Sequence, residues 1–234
     1  NWDTHEYPFF VKQKKHCIGE GTQFNDYKDT YNDYIQYKEQ NSAMRKAKKI
    51  IKDFNGDTHK TVLFLSYKAE NWNTMDNIYK KYCLEKDIKV IVQCVPYYYK
   101  NIDGTFEKYI DGGMYPEYVT ITPIEDYNYV NENPDVIVFQ YPYDNYNSAG
   151  TTDPVFYSYN LASHTQKLIY IPYFRTDEID ENDMRAYTNM DAYVTMPGGV
   201  YADKVIVQSE EIRKLYIKKL TDFFGEESEE ECED

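Results

Sequence analysis

The chain has 234 residues and a hydrophobic content of 41%, which is enough for one large α/β domain with a buried core. Its formal net charge is −14, from 40 acidic and 26 basic residues. Because a negative field repels phosphate backbones, the charge argues against general nucleic-acid binding. Four widely spaced cysteines without a C-x-x-C pair are typical of a reduced, cytoplasmic protein. No apolar stretch reaches the roughly 20 residues that span a bilayer.

The sequence divides into three segments of different composition. Residues 1–56 hold a polar start and a helical pattern, residues 57–225 hold an α/β domain, and residues 226–234 form an acidic tail that we expect to be disordered. The chain begins at Asn1 without Met, so we expect a fragment of a longer protein. The histidines and cysteines fit no zinc spacing, and neither a metal nor a cofactor is expected.

Apolar residues recur at helical spacing from about Tyr31 to Phe54, which predicts an amphipathic helix that packs on the domain. Ser42 is the expected N-cap of its second half, and Gly56 follows its end. The face rich in Lys and Arg is expected to be solvated, and contact with an anionic membrane surface is the alternative.

Short apolar segments alternate with helical patterns through the rest of the chain. This alternation predicts a Rossmann-like, doubly wound, mainly parallel sheet of five strands or slightly more. The predicted strands are Val62–Leu65, Ile88–Val95, Asp135–Gln140, Leu168–Ile171 and Lys204–Val207. The predicted helices run from a cap at Asn73 or Thr74 to about Lys86, from Pro154 to His164, and through the acidic residues 177–190. A last helix is expected between its cap Ser209 and Gly225, which lies just beyond its end. Cys83 and Cys94 are expected in the core.

Several familiar signatures are missing from the sequence. It contains no G-x-G-x-x-G after the first strand, no G-x-x-x-x-G-K-[ST] and no G-x-S-x-G. Nothing therefore indicates a dinucleotide site, a P-loop or the usual esterase nucleophile.

Three predicted strands end in the dipeptide Pro-Tyr, at residues 96–97, 142–143 and 172–173. Proline ends a strand because it lacks an N–H, and the carboxyl ends of parallel strands share one edge. Aromatic rings with polar tips suit sugar or polyol ligands. The predicted substrate-binding residues at this edge are Lys68, Trp72, Tyr97, Tyr143, Tyr146 and Tyr173. The alternative is that tyrosine, present 27 times, simply packs over strand ends.

Asp144 is the predicted catalytic residue, because it follows a strand among aromatic residues. A carboxylate beside a substrate hydroxyl acts as a general base. Capping of the turn at Asn145 is the alternative role. Glu70, Asp177 and Glu178 are the other acids expected at this edge.

Five blocks of sequence resemble a group of Firmicute proteins called CDP-glycerol glycerophosphotransferase-like, which are linked to teichoic-acid-type polymers. These blocks are SYKAENWNTMD (66–76), MYPEYVTIT (114–122), YPYDNYN (141–147), KLIYIPYF (167–174) and YADKVIVQSEEIRKLY (201–216). The similarity runs from about Lys60 to Tyr216. The chain departs from the group's pattern at Glu70 and Tyr141. The matched site positions are Asp144, Tyr143, Lys68 and Trp72.

The resemblance implies a GT-B architecture in which this chain is the amino-terminal, acceptor-binding half. The implied function is that of a glycosyl- or glycerophosphotransferase half in cell-surface polymer synthesis, inactive alone. Its acceptor would be a polyol-phosphate or a glycan, and a missing carboxy-terminal domain would hold a nucleotide-activated donor. The implied location is cytoplasmic, with the inner face of the cell membrane as an alternative. A non-catalytic carbohydrate-binding or scaffolding module and a small hydrolase with an acid pair are the other hypotheses.

Overall fold

The computed structural model describes residues 26–54, 59–111, 113–180 and 182–233. The α-helices of this part of the chain are α1 (Asp26–Phe54), α2 (Asp76–Cys83), α3 (Tyr129–Glu132), α4 (Ser158–Ser163), α5 (Met184–Asn189), α6 (Pro197–Tyr201), α7 (Glu210–Phe224) and α8 (Glu229–Glu233). The strands are β1 (Lys60–Ser66), β2 (Ile88–Cys94), β3 (Tyr97–Lys100), β4 (Phe106–Tyr109), β5 (Val136–Phe139), β6 (Gly150–Thr152), β7 (Lys167–Tyr170) and β8 (Lys204–Val205).

The central sheet has five parallel strands in the order β2-β1-β5-β7-β8. Counted along the chain within this sheet, the order is 2-1-3-4-5, which is one of the common orders of doubly wound α/β folds. The predicted Rossmann-like sheet is therefore confirmed. The strand order reverses between β1 and β5, and ligands of such folds bind outside the carboxyl ends of the strands near this reversal.

Helices cover both faces of the central sheet, which explains why β1 is apolar without alternation. Val62 and Phe64 point to the face covered by α2, and Leu63 and Leu65 point to the face covered by α4 and α6. All four side chains are at most 2% exposed. Successive strand residues point to opposite faces, so both faces need apolar side chains here.

A second, antiparallel sheet has the order β4-β3-β6 and was not predicted. Its strands follow the carboxyl ends of β2 and β5, so it lies at the same edge as the predicted cleft. All four residues of β4 are exposed. Pro96 separates β2 from β3 by ending one ladder before the tyrosine-rich β3 begins.

Helix α1 contacts the domain through Ile35 and Tyr37 in its first half and through polar and basic residues further along. Met44, Ile50 and Ile51, which were expected to be buried, are 37%, 67% and 60% exposed. Arg45 and Lys52 instead form ion pairs of 2.7 Å with Asp203 and Asp135 of the domain. The expectation of a solvated basic face is therefore wrong for these two residues.

The acceptors at the amino ends of the strands explain why basic residues face inward. Lys48 donates to the Asn133 side chain at 2.6 Å and to the Ser163 carbonyl at 2.9 Å. Arg45 donates to the Ala162 carbonyl through two nitrogens. Ser42 lies inside α1 and does not begin it. Gly56, His5, His16 and Cys17 lie outside the described residues.

Several predicted helices are shorter or broken. A 3-10 helix, Ala69–Thr74, precedes α2, and Met75 rather than Asn73 or Thr74 is the N-cap residue. The extended residue Tyr157 separates a 3-10 turn from α4. Cys83 was expected in the core but is exposed, whereas Cys94 is buried as predicted.

The acidic segment and the fifth strand also differ from the prediction. Among the described residues between 177 and 190, only Met184–Asn189 is α-helical, because the Asp183 carboxylate caps a helix that begins there. The fifth strand has two residues, Lys204 and Val205.

Helix α7 begins and ends where the sequence predicts. The Ser209 hydroxyl accepts a hydrogen bond from the Ile212 backbone at 3.2 Å, and Gly225 follows the helix with φ +107°. The acidic tail is not a disordered extension over residues 226–233, since a 3-10 turn and α8 follow Gly225. Ser228 is 1% exposed and donates to the Gly225 carbonyl at 2.7 Å.

Candidate functional site

Tyrosines from all three Pro-Tyr strand ends meet at one residue, Tyr67, which follows β1. The ring centre of Tyr67 lies 4.9 Å from that of Tyr97, 4.9 Å from that of Tyr141 and 5.1 Å from that of Tyr173. Tyr143 contacts this group through Tyr141, and the ring centres of these two residues are 5.3 Å apart. We call these five residues the tyrosine cluster. It fills the space outside the carboxyl ends of β1 and β5, where the strand order reverses.

Burial raises the pKa of each hydroxyl in the tyrosine cluster above the ordinary value. All five hydroxyls are therefore neutral at physiological pH and can donate hydrogen bonds. The ammonium group of Lys68 lies 5.3 Å from the ring centre of Tyr67 and 5.4 Å from that of Tyr97. This distance allows a cation–π contact, so Lys68 lies against the cluster as predicted from its sequence position.

The buried side chain of Gln140 fixes the loop that carries Tyr67. Its Oε1 accepts a hydrogen bond from the Tyr67 backbone at 3.0 Å. Its Nε2 donates to the Asn71 carbonyl at 2.9 Å and to the Thr74 hydroxyl at 2.8 Å. Gln140 is fully buried and follows β5, so one side chain joins the two loops on either side of the strand-order reversal.

Trp72 was predicted to bind substrate but belongs to the core. It is 2% exposed and packs edge-on against Tyr79 and Tyr115, with ring centres 5.1 Å and 5.7 Å away. Its indole nitrogen donates to the Asp76 carboxylate at 3.2 Å. Tyr146 is half-buried and packs against the core on the other face of the sheet. Neither side chain joins the tyrosine cluster.

Asp144 was predicted to be a general base but faces the interior. It is 6% exposed and lies at φ +48°. Its Oδ1 accepts hydrogen bonds from the backbone and the hydroxyl of Ser158, the first residue of α4. The alternative role named from the sequence was a turn at Asn145. Asp144 instead binds the start of a helix 14 residues further along.

A cavity of about 450 Å³ opens beside the tyrosine cluster, outside the carboxyl ends of β7 and β8. We call it the carboxyl-edge cavity. It contains none of the seven site residues predicted from the sequence. Its lining residues are Asn73, Thr74, Asn77, Ile171, Pro172, Phe174, Arg175, Thr176, Glu178, Ile206, Val207, Gln208, Ile212 and Tyr216. The ring of Phe174 connects it to the cluster, since its centre lies 5.1 Å from that of Tyr173.

The carboxyl-edge cavity combines an apolar floor with polar walls. Ile171, Ile212 and Tyr216 are buried beneath it. Asn73, Asn77 and Arg175 are exposed at its walls, and none of their side chains makes a hydrogen bond or ion pair with any described residue. Amides, a guanidinium and an aromatic ring around one cavity can bind a hydroxylated compound with an anionic group.

Gln208 holds the wall that carries Arg175. Its Oε1 accepts from the Thr176 backbone at 3.1 Å, and its Nε2 donates to the Thr176 carbonyl at 2.5 Å. These two bonds tie the loop after β7 to the loop after β8. In the sequence, Phe174 and Arg175 directly follow the third Pro-Tyr, and this position could have indicated the wall. No spacing rule connects these two residues to Asn77.

No protein-family model matches the chain, and neither a curated protein nor a solved structure gives a significant match. Among the residues described, no three His, Cys, Asp or Glu side chains are grouped to hold a metal ion. Across the same residues, every helix is too short or too polar to cross a bilayer.

Proposed function

We propose that this chain binds a polyol-phosphate or glycan at the carboxyl edge of its sheet, as the acceptor-binding half of a nucleotide-dependent glycosyl- or glycerophosphotransferase. The observation that carries the binding proposal is the carboxyl-edge cavity beside the tyrosine cluster. It has the size typical of small-molecule sites, and it lies outside the carboxyl ends of the strands, the edge at which doubly wound folds bind ligands. The transferase part rests on the five sequence blocks that resemble the glycerophosphotransferase-like group.

Each wall of the cavity has a separate part in binding. Arg175 would pair with a phosphate or carboxylate, because a guanidinium matches the geometry of these groups. The amides of Asn73 and Asn77 would exchange hydrogen bonds with hydroxyl groups. Phe174 would pack against the apolar face of a sugar or polyol. Glu178 is the carboxylate on the lining, and it replaces Asp144 as the acid that could accept a proton from a bound hydroxyl.

A non-catalytic binding module is the second candidate function. It is favoured by the position of Asp144, since the carboxylate that the sequence selects for catalysis holds α4 instead. The two candidates share one ligand site and differ in turnover.

Calorimetric titration with glycerol 3-phosphate, glycerol and a set of neutral oligosaccharides tests the binding proposal. We expect saturable binding of at least one compound, weakened by Phe174→Ala and by Asn77→Ala. Arg185→Gln, an exposed arginine away from the cavity, is the control for Arg175→Gln. Binding that none of the cavity variants weakens would contradict the proposal. In a longer protein that supplies the donor-binding domain, transfer from a nucleotide-activated donor that is lost in Glu178→Gln would separate the transferase from the binding module.

A further inference from the structure

Two opposite charges line the carboxyl-edge cavity without pairing with each other. Among the described residues that line it, Arg175 is the one cation and Glu178 is the one carboxylate. Both side chains are exposed, and neither forms an ion pair or a hydrogen bond with any residue in the described ranges. Within this part of the chain, both charges therefore remain available to a ligand.

The backbone of the loop after β7 keeps the two charges apart. Glu210 and Arg213 are also three residues apart, but they lie on the surface of α7 and pair at 3.1 Å. Residues 175–178 form no helix, and three residues of extended chain span up to about 11 Å. Gln208 restrains this loop through its two hydrogen bonds to Thr176, which lies between the charges. The loop therefore presents a positive and a negative group at separate points of one cavity.

The surface around these two charges is acidic. Asp177 is exposed beside Glu178, and Glu210 and Glu211 are exposed in the first turn of α7. A ligand with negative charge alone would be attracted by Arg175 but repelled by Glu178 and this acidic surface. A ligand that also carries an ammonium group would be attracted at both points. The charges of the cavity therefore favour a zwitterionic ligand over a simple anion.

We propose that the carboxyl-edge cavity selects a hydroxylated compound that carries an ammonium group as well as an anionic group, such as an amino-sugar phosphate. This inference rests on the proposed function, because it specifies the ligand of the same cavity. Arg175 would bind the anionic group, and one oxygen of the Glu178 carboxylate would accept a hydrogen bond from the ammonium group. The second oxygen of Glu178 would stay open to a hydroxyl group of the ligand.

Calorimetric titration of the full chain with glucosamine 6-phosphate, glucose 6-phosphate and glucosamine tests this proposal, at a pH below the pKa of the amine. The three compounds share one type of ring, and the last two each lack one of the two charged groups. Glu178→Gln removes the negative charge of the cavity, and Asp177→Asn removes an exposed charge beside it that does not line the cavity. Arg175→Gln removes the positive charge, with Arg185→Gln as its control.

We expect glucosamine 6-phosphate to bind at least about threefold more tightly than either other compound, because it alone can form both ion pairs and exposed pairs contribute modestly. Glu178→Gln should lower the ratio of the affinities for glucosamine 6-phosphate and glucose 6-phosphate to about one, whereas Asp177→Asn should keep it above about twofold. Arg175→Gln should weaken binding of both phosphates about threefold and change that of glucosamine by less than about twofold.

Equal affinities of the wild type for the two phosphates would overturn this proposal. If Phe174→Ala still weakened binding of both, the proposed function would stand without it. An equal loss of the ratio in Asp177→Asn and Glu178→Gln would also overturn the proposal, because the acidic surface as a whole would then attract the amine. Absence of saturable binding of glucosamine 6-phosphate would overturn it as well. Only the additional failure of glycerol 3-phosphate, glycerol and the neutral oligosaccharides to bind would contradict the proposed function.

Discussion

One oxygen of the Asp144 carboxylate accepts both hydrogen bonds that Ser158 donates, at 2.9 Å from its backbone nitrogen and 3.0 Å from its hydroxyl. Asp144 lies in the loop after β5, and Ser158 is the first residue of α4. The pair therefore joins the carboxyl edge of the sheet to the helix that packs on its face. We therefore expect this contact to affect the stability of the fold and not catalysis.

Replacement of Asp144 by Ala should lower the free energy of unfolding by about 1–3 kcal/mol, because two buried donors lose their acceptor. Asp144→Asn keeps an acceptor oxygen and tolerates the positive φ of this position, so at about pH 4 it should stay close to the wild type. Urea denaturation of the three proteins measures the difference. An Ala variant as stable as the wild type would show that the contact contributes nothing.

The stability of the wild type should fall relative to Asp144→Asn as the pH rises from about 4 to about 7. Burial raises the pKa of the Asp144 carboxyl to about 7, from an ordinary value of 3.8. In this pH window the folded protein holds a proton that the unfolded chain has released, so rising pH favours unfolding. Urea denaturation of both proteins across the window gives the difference. A difference that is constant with pH, or that changes in the opposite sense, would contradict the assigned pKa.

Replacement of Gln140 by Leu should lower the free energy of unfolding by about 2–4 kcal/mol, since a backbone N–H and a backbone carbonyl lose their partner inside the protein. The loop from Tyr67 to Thr74 should loosen first. Hydrogen exchange should therefore become faster at the Tyr67 amide than in the middle of β1. Equal protection of this amide in variant and wild type would show that Gln140 does not hold the loop.

Helix α1 should depend on its basic residues and not on its exposed apolar ones. Arg45→Ala should lower the free energy of unfolding by about 1–3 kcal/mol, because Asp203 loses its ion pair and the Ala162 carbonyl loses the hydrogen bonds of the guanidinium. Ile50→Ser removes a side chain that is 67% exposed and should change stability by less than about 0.5 kcal/mol. Thermal unfolding compares the two variants. A larger loss in Ile50→Ser would mean that the apolar face of α1 packs on the domain.

The sequence predicts the central sheet well because four of its five strands are short, largely apolar segments between turn residues. It also predicts that the Pro-Tyr ends meet, because parallel strands place their carboxyl ends at one edge. The sequence does not predict which residues of α1 face the domain, since hydropathy assigns Ile50 and Ile51 to the interior. The carbonyls of Ala162 and Ser163 and the carboxylates of Asp135 and Asp203 select basic residues there instead, and these acceptors are 83 to 158 residues away in the chain.

The candidate site could be predicted only in part, for a similar reason. Tyr97 and Tyr173 follow strands directly, so their place at the carboxyl edge follows from topology. The lining of the carboxyl-edge cavity comes from three separate segments, represented by Asn77, Arg175 and Gln208. No periodicity or motif relates residues that meet only after the loops have folded. Asp144 misled the prediction because its backbone conformation turns the carboxylate inward, which the pattern of residue types does not encode.

Mapping of backbone amide resonances during titration with glycerol 3-phosphate tests the central claim most directly. Ligand binding in the carboxyl-edge cavity predicts shifts at residues 73–77, 174–178 and 206–208, and Arg175→Gln should reduce them. The amides of α1 should stay unchanged at concentrations that saturate the carboxyl-edge cavity. Shifts confined to α1, or the absence of shifts at the three cavity segments across glycerol 3-phosphate and the oligosaccharide set, would contradict ligand binding at this edge of the sheet.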